Sequence, residues 1–164
     1  MDSYVEYLVK KKNGPTTIIL QILIVMATAF GVAAVMFFLG GVGAIVATAA
    51  LYGGYYAVTA QNLEYEYLFT NGEIDVDKIV AKRKRARLLN FECRDIEKME
   101  ELNERNEKKV PGVQRIIACS VGDKAPIYVI DVRHKKLGKV QVIINLSDEM
   151  KEAMKPMVSR TVGL

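Results

Sequence analysis

The chain has little of what catalysis usually needs: one histidine, two cysteines and no tryptophan among 164 residues. His134 stands among Arg133, Lys135 and Lys136, the setting of an exposed strand end and not of a general base. Cys93 and Cys119 lack CxxC spacing. With one histidine they fall short of the four ligands zinc takes, and in a reducing compartment they remain core thiols. The twelve glycines form neither GxGxxG nor a phosphate-binding loop, and there is no GxSxG. Asp75 and Asp77 alternate with Ile74 and Val76, as the polar face of a strand does, so a DxD-like metal pair is the weaker reading. These absences argue against an enzyme and against a bound cofactor or metal.

The largest absence is of charge. From Asn13 to Leu63, 51 consecutive residues carry none, while all 23 Lys and Arg and all 19 Asp and Glu lie outside that stretch. A span across the ~30 Å hydrocarbon core needs about 20 apolar residues. The run is too long for one span, and far too long for the 7–15-residue core of a cleaved signal peptide. Gly40, Gly41 and Gly43 divide it, which predicts spans at about 16–39 and 43–60 joined by an uncharged turn. Lys10, Lys11 and Lys12 precede the first span, and a second basic run follows the other, so the positive-inside bias places both termini in the cytoplasm of a multi-pass cell-membrane protein. Tyr52, Tyr55 and Tyr56 fall near the cytoplasmic end of the second span, where amphipathic rings anchor helices. Gly43/Ala47, Ala49/Gly53 and Ala50/Gly54 are small-xxx-small pairs that let helices approach closely, within the hairpin, in a homo-oligomer or against a protein partner. The first 15 residues form a short basic segment. Tyr4, Val5, Leu8 and Val9 beside the lysines suggest an amphipathic helix lying in the interface.

From Glu64 the hydrophobic period changes to two. Asn71-Gly72 between alternating runs is the strongest short hairpin signal and sets Phe69 opposite Ile74 and Tyr67 opposite Val76. Tyr65, Tyr67, Phe69, Ile74 and Val76 then share a core face. Glu64, Glu66, Asp75 and Asp77 share the opposite face, expected to be solvated, with Glu66 repelling Asp77. Further strands are expected around Leu89–Cys93, Val113–Cys119, Ile127–His134 and Val140–Leu146, with a polar loop over Glu97–Lys109. Ser147 caps a C-terminal helix at about 148–158, with Met150, Ala153, Met154 and Met157 on one stripe. The fold class is thus an α+β membrane protein: a two-helix hairpin over 16–62, then a small antiparallel, partly open barrel with a C-terminal helix over 63–164, separable from the spans.

Lys82, Arg83, Lys84, Arg85 and Arg87 put five cations within six residues. They either meet anionic lipid headgroups, each contributing about 1 kcal/mol at a charged leaflet, or balance the acidic strand face. Nucleic acid is disfavoured, because no stacking aromatics are interleaved with the run. The stretch Tyr65–Ile74, the basic strand to Arg87, Cys93-Arg94-Asp95-Ile96 and the ending from Asn145-Leu146 to Met157 resemble the bacterial membrane proteins with a pleckstrin-homology-like domain. The opening to Lys12 with the apolar run is similar to a family of two-span proteins from Gram-positive anaerobes. The resemblance implies a scaffold whose relatives bind lipids, peptides or proteins, and it transfers no ligand residue. The sequence therefore predicts a non-enzymatic module that presents a β domain at the membrane for anionic lipid or a protein partner. An accessory subunit of a larger membrane complex is the alternative.

Overall fold

The computed structural model describes residues 3–103, 106 and 111–159. Two units follow from its contacts: residues 13–63 with 80–82, and residues 1–12, 64–79 and 83–164.

The first unit is helical. Helix α1 spans Pro15–Leu39, with proline at its first turn where the missing N–H costs nothing. A 3-10 turn over Gly40–Val42 ends it, and α2 follows at Gly43–Thr59. Gly40 takes a φ of 55°, a left-handed conformation that lets glycine stop the helix without steric cost. Along the helices, a methyl on Gly54 would strike the Thr28 side chain and one on Gly43 would strike the Val35 carbonyl, so both glycines are where the two helices touch. The run Pro15–Thr59 is long and apolar enough to cross a membrane.

The second unit has two four-stranded sheets. One runs β1 (Tyr4–Lys10), β2 (Leu63–Thr70), β3 (Glu73–Val80), β4 (Lys84–Glu92). The other has the order β5 (Ile96–Glu101), β7 (Ile127–His134), β8 (Gly138–Asn145), β6 (Gln114–Ala118). Asn71 and Gly72 both take positive φ, 49° and 92°, as a two-residue hairpin turn of this kind requires. Tyr67, Phe69, Ile74 and Val76 are fully buried. Leu89, Phe91, Ile130, Val132, Val140, Val142 and Ile144 complete the core between the sheets. Helix α3 (Asp148–Met154) closes it with Met150 and Met154, and Ser147 accepts from the Met150 N–H at 3.2 Å.

Five expectations need correction. Residues 4–10 are a strand and not an interfacial helix: Val5 and Val9 alternate inward while Tyr4 and Leu8 face out, and the strand pairs antiparallel with β2 from Tyr4 against Thr70 to Lys10 against Glu64. Residues 64–164 are consequently not a complete unit, since β1 supplies part of their core. The polar stretch after Glu97 is not simply a loop. Ile96–Glu101 is a strand beside β7, and a bulge between Ile96 and Lys98 lets Ile96 and Met99, three apart, both face inward. Residues 104, 105 and 107–109 of that expected loop lie outside those described. Finally, β6 pairs parallel with β8, so the second sheet is mixed. Helix α3 is also shorter than predicted, stopping at Met154 just ahead of Pro156.

Candidate functional site

The acidic strand face, expected to be solvated, is instead largely covered. Glu66 and Asp77 are each only 3% exposed and Glu64 is 8% exposed. For Glu66 and Asp77 the cause is β4, which lies beside β3 and folds two arginines over them. The Arg85 guanidinium pairs with Glu66 and lies 3.8 Å from Asp77. Arg87 reaches Asp77 at 3.1 Å and Asp75 at 2.8 Å. The hydrogen bond to Asp77 holds the Arg87 guanidinium pKa above its ordinary value. Asn90 donates to Glu73 at 2.6 Å and also to Asp75. Arg87 and Asn90 are three apart yet serve one face, so strand alternation slips between them, and both Leu88 and Leu89 pack toward the core. The arginine side chains remain about half exposed, at 54% and 52%, over carboxylates at 4%.

Arg85 and Arg87 thus act as internal counter-ions. Lys82, Arg83 and Lys84, on the β3–β4 turn, are exposed. Ala81 and Lys82 hold left-handed φ values of 54° and 56°, and the Ala81 N–H donates to the Asn62 carbonyl at 2.8 Å, tying the turn to the chain just before β2. A prediction separates the two groups of cations. Changing Arg85 and Arg87 together to Met should cost roughly 1–3 kcal/mol in urea unfolding: the 3–5 kcal/mol typical of a broken buried pair, discounted for half-exposed partners. Changing Lys82 and Lys84 to Gln should cost within about 0.5 kcal/mol, as surface changes do. Equal losses in the two variants would refute the division.

The remaining basic group, Lys10–Lys12, ends β1. Lys10 stands opposite Glu64. The Lys12 backbone N–H donates to Ser120 Oγ at 3.0 Å, and the Lys12 side chain crosses Gly122, where a methyl would meet Nζ at 2.8 Å. The loop it touches is pinned by buried polar groups. Asn145, fully buried at the end of β8, accepts from the Ser120 N–H at 2.8 Å and donates to the carbonyls of Ser120 at 3.2 Å and Ala125 at 2.9 Å. Tyr67 donates to the Ala118 carbonyl and accepts from the Asn145 N–H at 3.4 Å. Tyr7, its ring stacked 6.4 Å from that of Tyr67, donates to Asp123 at 2.5 Å. The sequence analysis singled out none of Asn145, Ser120 and Asp123 as a site residue. The one available signal was an amide, Asn145, next to last in the otherwise mostly apolar run Val140–Leu146.

Burial pushes the Cys93 thiol up from 9.0 to about 12. Burial, then the bond to Asp123, pushes the Tyr7 hydroxyl from 10.0 to about 12, and burial raises Tyr67 further. Folded values above unfolded ones mean that this stability is complete below the unfolded pKa and is lost as pH climbs toward the folded one. Stability should therefore fall from about pH 9 toward 12, with Cys93→Ala flattening the early part of the fall. A denaturation midpoint independent of pH over that window would contradict it.

On α2, Tyr52, Tyr55 and Tyr56 are exposed at 67%, 62% and 54%. Gly43 and Ala47 are buried and Gly54 meets Thr28, whereas Ala49 and Gly53 face outward. Among the described residues, no three His, Cys, Asp or Glu side chains group to hold a metal ion.

The sequence pattern of the bacterial PH-like domain family DUF6106 matches residues 1–164. The chain belongs to this family. No curated protein and no solved structure matches it. Because the match begins at residue 1 and runs through the apolar stretch, β1 and the two helices are part of the bacterial PH-like pattern and not an appendage to it. Membership points to a binding module.

Proposed function

We propose that this bacterial PH-like protein is a non-enzymatic membrane module. Its two helices cross the bilayer as a hairpin, both flanks are cytoplasmic, and the β domain binds anionic lipid or a protein partner at the inner surface. One observation carries the reading: β1 precedes the apolar run and β2 follows it, yet the two are neighbours in one sheet. Paired strands lie about 4.8 Å apart, so they cannot stand on opposite sides of a ~30 Å core. Whatever crosses must cross an even number of times, and 45 helical residues at 1.5 Å each, about 68 Å, suffice for two. The lysines at both flanks supply the side. Lys82 and Lys84 of the basic run supply lipid contact, Arg85 and Arg87 being engaged by carboxylates.

Reporters active on one side only, fused to each terminus, test the topology. Both should report cytoplasm, and one external terminus would overturn it. Purified full-length protein in vesicles with and without anionic lipid tests the ligand. Salt-sensitive capture of additional anionic lipid, lost on changing Lys82 and Lys84 to Gln, supports lipid; indifference to lipid charge favours the protein partner. Ala49 and Gly53, on the outward side of α2, favour the second reading, an accessory subunit docked through its helices. A defined heteromeric complex in mild detergent would select it.

A further inference from the structure

We infer that the β6–β7 loop, Ser120–Lys124, is a second membrane contact: an apolar tip, Val121, set into the headgroup layer and flanked by Lys11, Lys12 and Lys124. The inference rests on the membrane reading above and adds to it a surface that the basic run does not include. Val121 is 79% exposed, the most exposed large apolar side chain among the described residues of the β domain, and it sits on a turn held by Gly122 at φ 86°. Exposure alone says nothing, but the position of this loop is fixed. Ser120 takes the Lys12 N–H at 3.0 Å, and the Lys12 chain lies on Gly122. Only three residue steps separate Lys12 from Pro15, the first residue of the apolar run, a reach of at most about 10 Å. The headgroup layer is about 5–8 Å thick on each side of the hydrocarbon. The chain therefore tethers a loop bonded to Lys12 within reach of that layer when α1 spans.

The surrounding chemistry suits the same partner. Lys11, Lys12 and Lys124 are exposed, and Lys11 and Arg115 lie close enough to Cys119 to oppose the burial that raises its pKa. The acid in the loop, Asp123, faces inward to Tyr7 and to the Ala125 N–H at 3.1 Å. Rigidity completes the argument: with Asn145 holding both ends, the loop presents Val121 with little ordering left to pay on contact. An exposed apolar tip ringed by cations is the pattern of interfacial binding to an anionic leaflet.

The test uses full-length protein in anionic vesicles, in a Cys93→Ala, Cys119→Ser background. Single cysteines at Val121, Leu137 and Phe30 carry an environment-sensitive fluorophore, and nitroxide lipids quench at headgroup or mid-chain depth. Leu137 is also exposed, at 46%, but lies on the β7–β8 turn at the other end of β7. The label at 121 should be quenched severalfold more than that at 137 by the shallow nitroxide, and Lys11, Lys12 and Lys124 changed to Gln should reduce the difference. Equal quenching at 121 and 137, with deep quenching retained at 30, would overturn the inference while leaving the spans intact. Loss of deep quenching at 30 would overturn the spanning reading itself and this inference with it.

Discussion

Cut back to residues 63–164, the domain should fail to show a cooperative unfolding transition, whereas residues 1–12 joined by a short Gly/Ser linker to 63–164 should restore one. The sheet order makes β1 an integral edge strand, and its Val5 and Val9 are 8% and 0% exposed. Each buried valine contributes about 1.5–3 kcal/mol, so the strand supplies roughly 3–6 kcal/mol against a whole-domain stability of 5–15. Its removal also uncovers the edge of β2, an invitation to aggregation. The linker is feasible because Lys10 and Glu64 are direct partners. Thermal melts by circular dichroism decide it. A truncated domain as stable as the linked one would show that β1 is dispensable.

The second large effect is expected at Asn145. Asn145→Ala leaves the Ser120 N–H and the carbonyls of Ser120 and Ala125 without their amide partner. Each orphaned buried group costs about 1–3 kcal/mol, which totals roughly 3–5 kcal/mol once some of them recover water. Hydrogen exchange should speed up most in residues 118–126, the segment the amide holds, together with the Lys12 N–H that bonds to Ser120. A loss below about 1 kcal/mol, within the range of an ordinary surface change, would mean that the loop holds its shape without Asn145.

How legible these features were follows from the range over which each is encoded. The β2–β3 hairpin was readable because Asn71-Gly72 fixes a turn locally and alternation then assigns every side chain to a face. Ser147 and the Met150/Met154 stripe announced α3 for the same reason: cap and period are both local. In β1 the alternation of Val5, Tyr7 and Val9 is present, but its partner lies beyond the entire apolar run, and seven residues beside three lysines also fit an interfacial helix. In β5 a bulge puts Ile96 and Met99 at a spacing of three, which hides the strand. The acidic face misled because burial of Glu66 and Asp77 depends on Arg85 and Arg87 of β4, a strand whose place beside β3 no local pattern announces. Asn145 was invisible as a site because its three partners converge only when β8, the β6–β7 loop and β2 are assembled.

Cross-linking between Lys10→Cys and Glu64→Cys, in full-length protein with Cys93 and Cys119 replaced, tests most directly whether the sheet closes across the apolar run. In antiparallel register these positions are opposite one another, with Cβ atoms about 4.5–5.5 Å apart, near the span of a disulfide. Pairing Lys10→Cys instead with Thr70→Cys separates the thiols by six residue rises, about 20 Å. The account predicts efficient oxidation of the 10–64 pair within one chain and almost none of the 10–70 pair. Absence of the 10–64 link, or equal yields from both pairs, would contradict it.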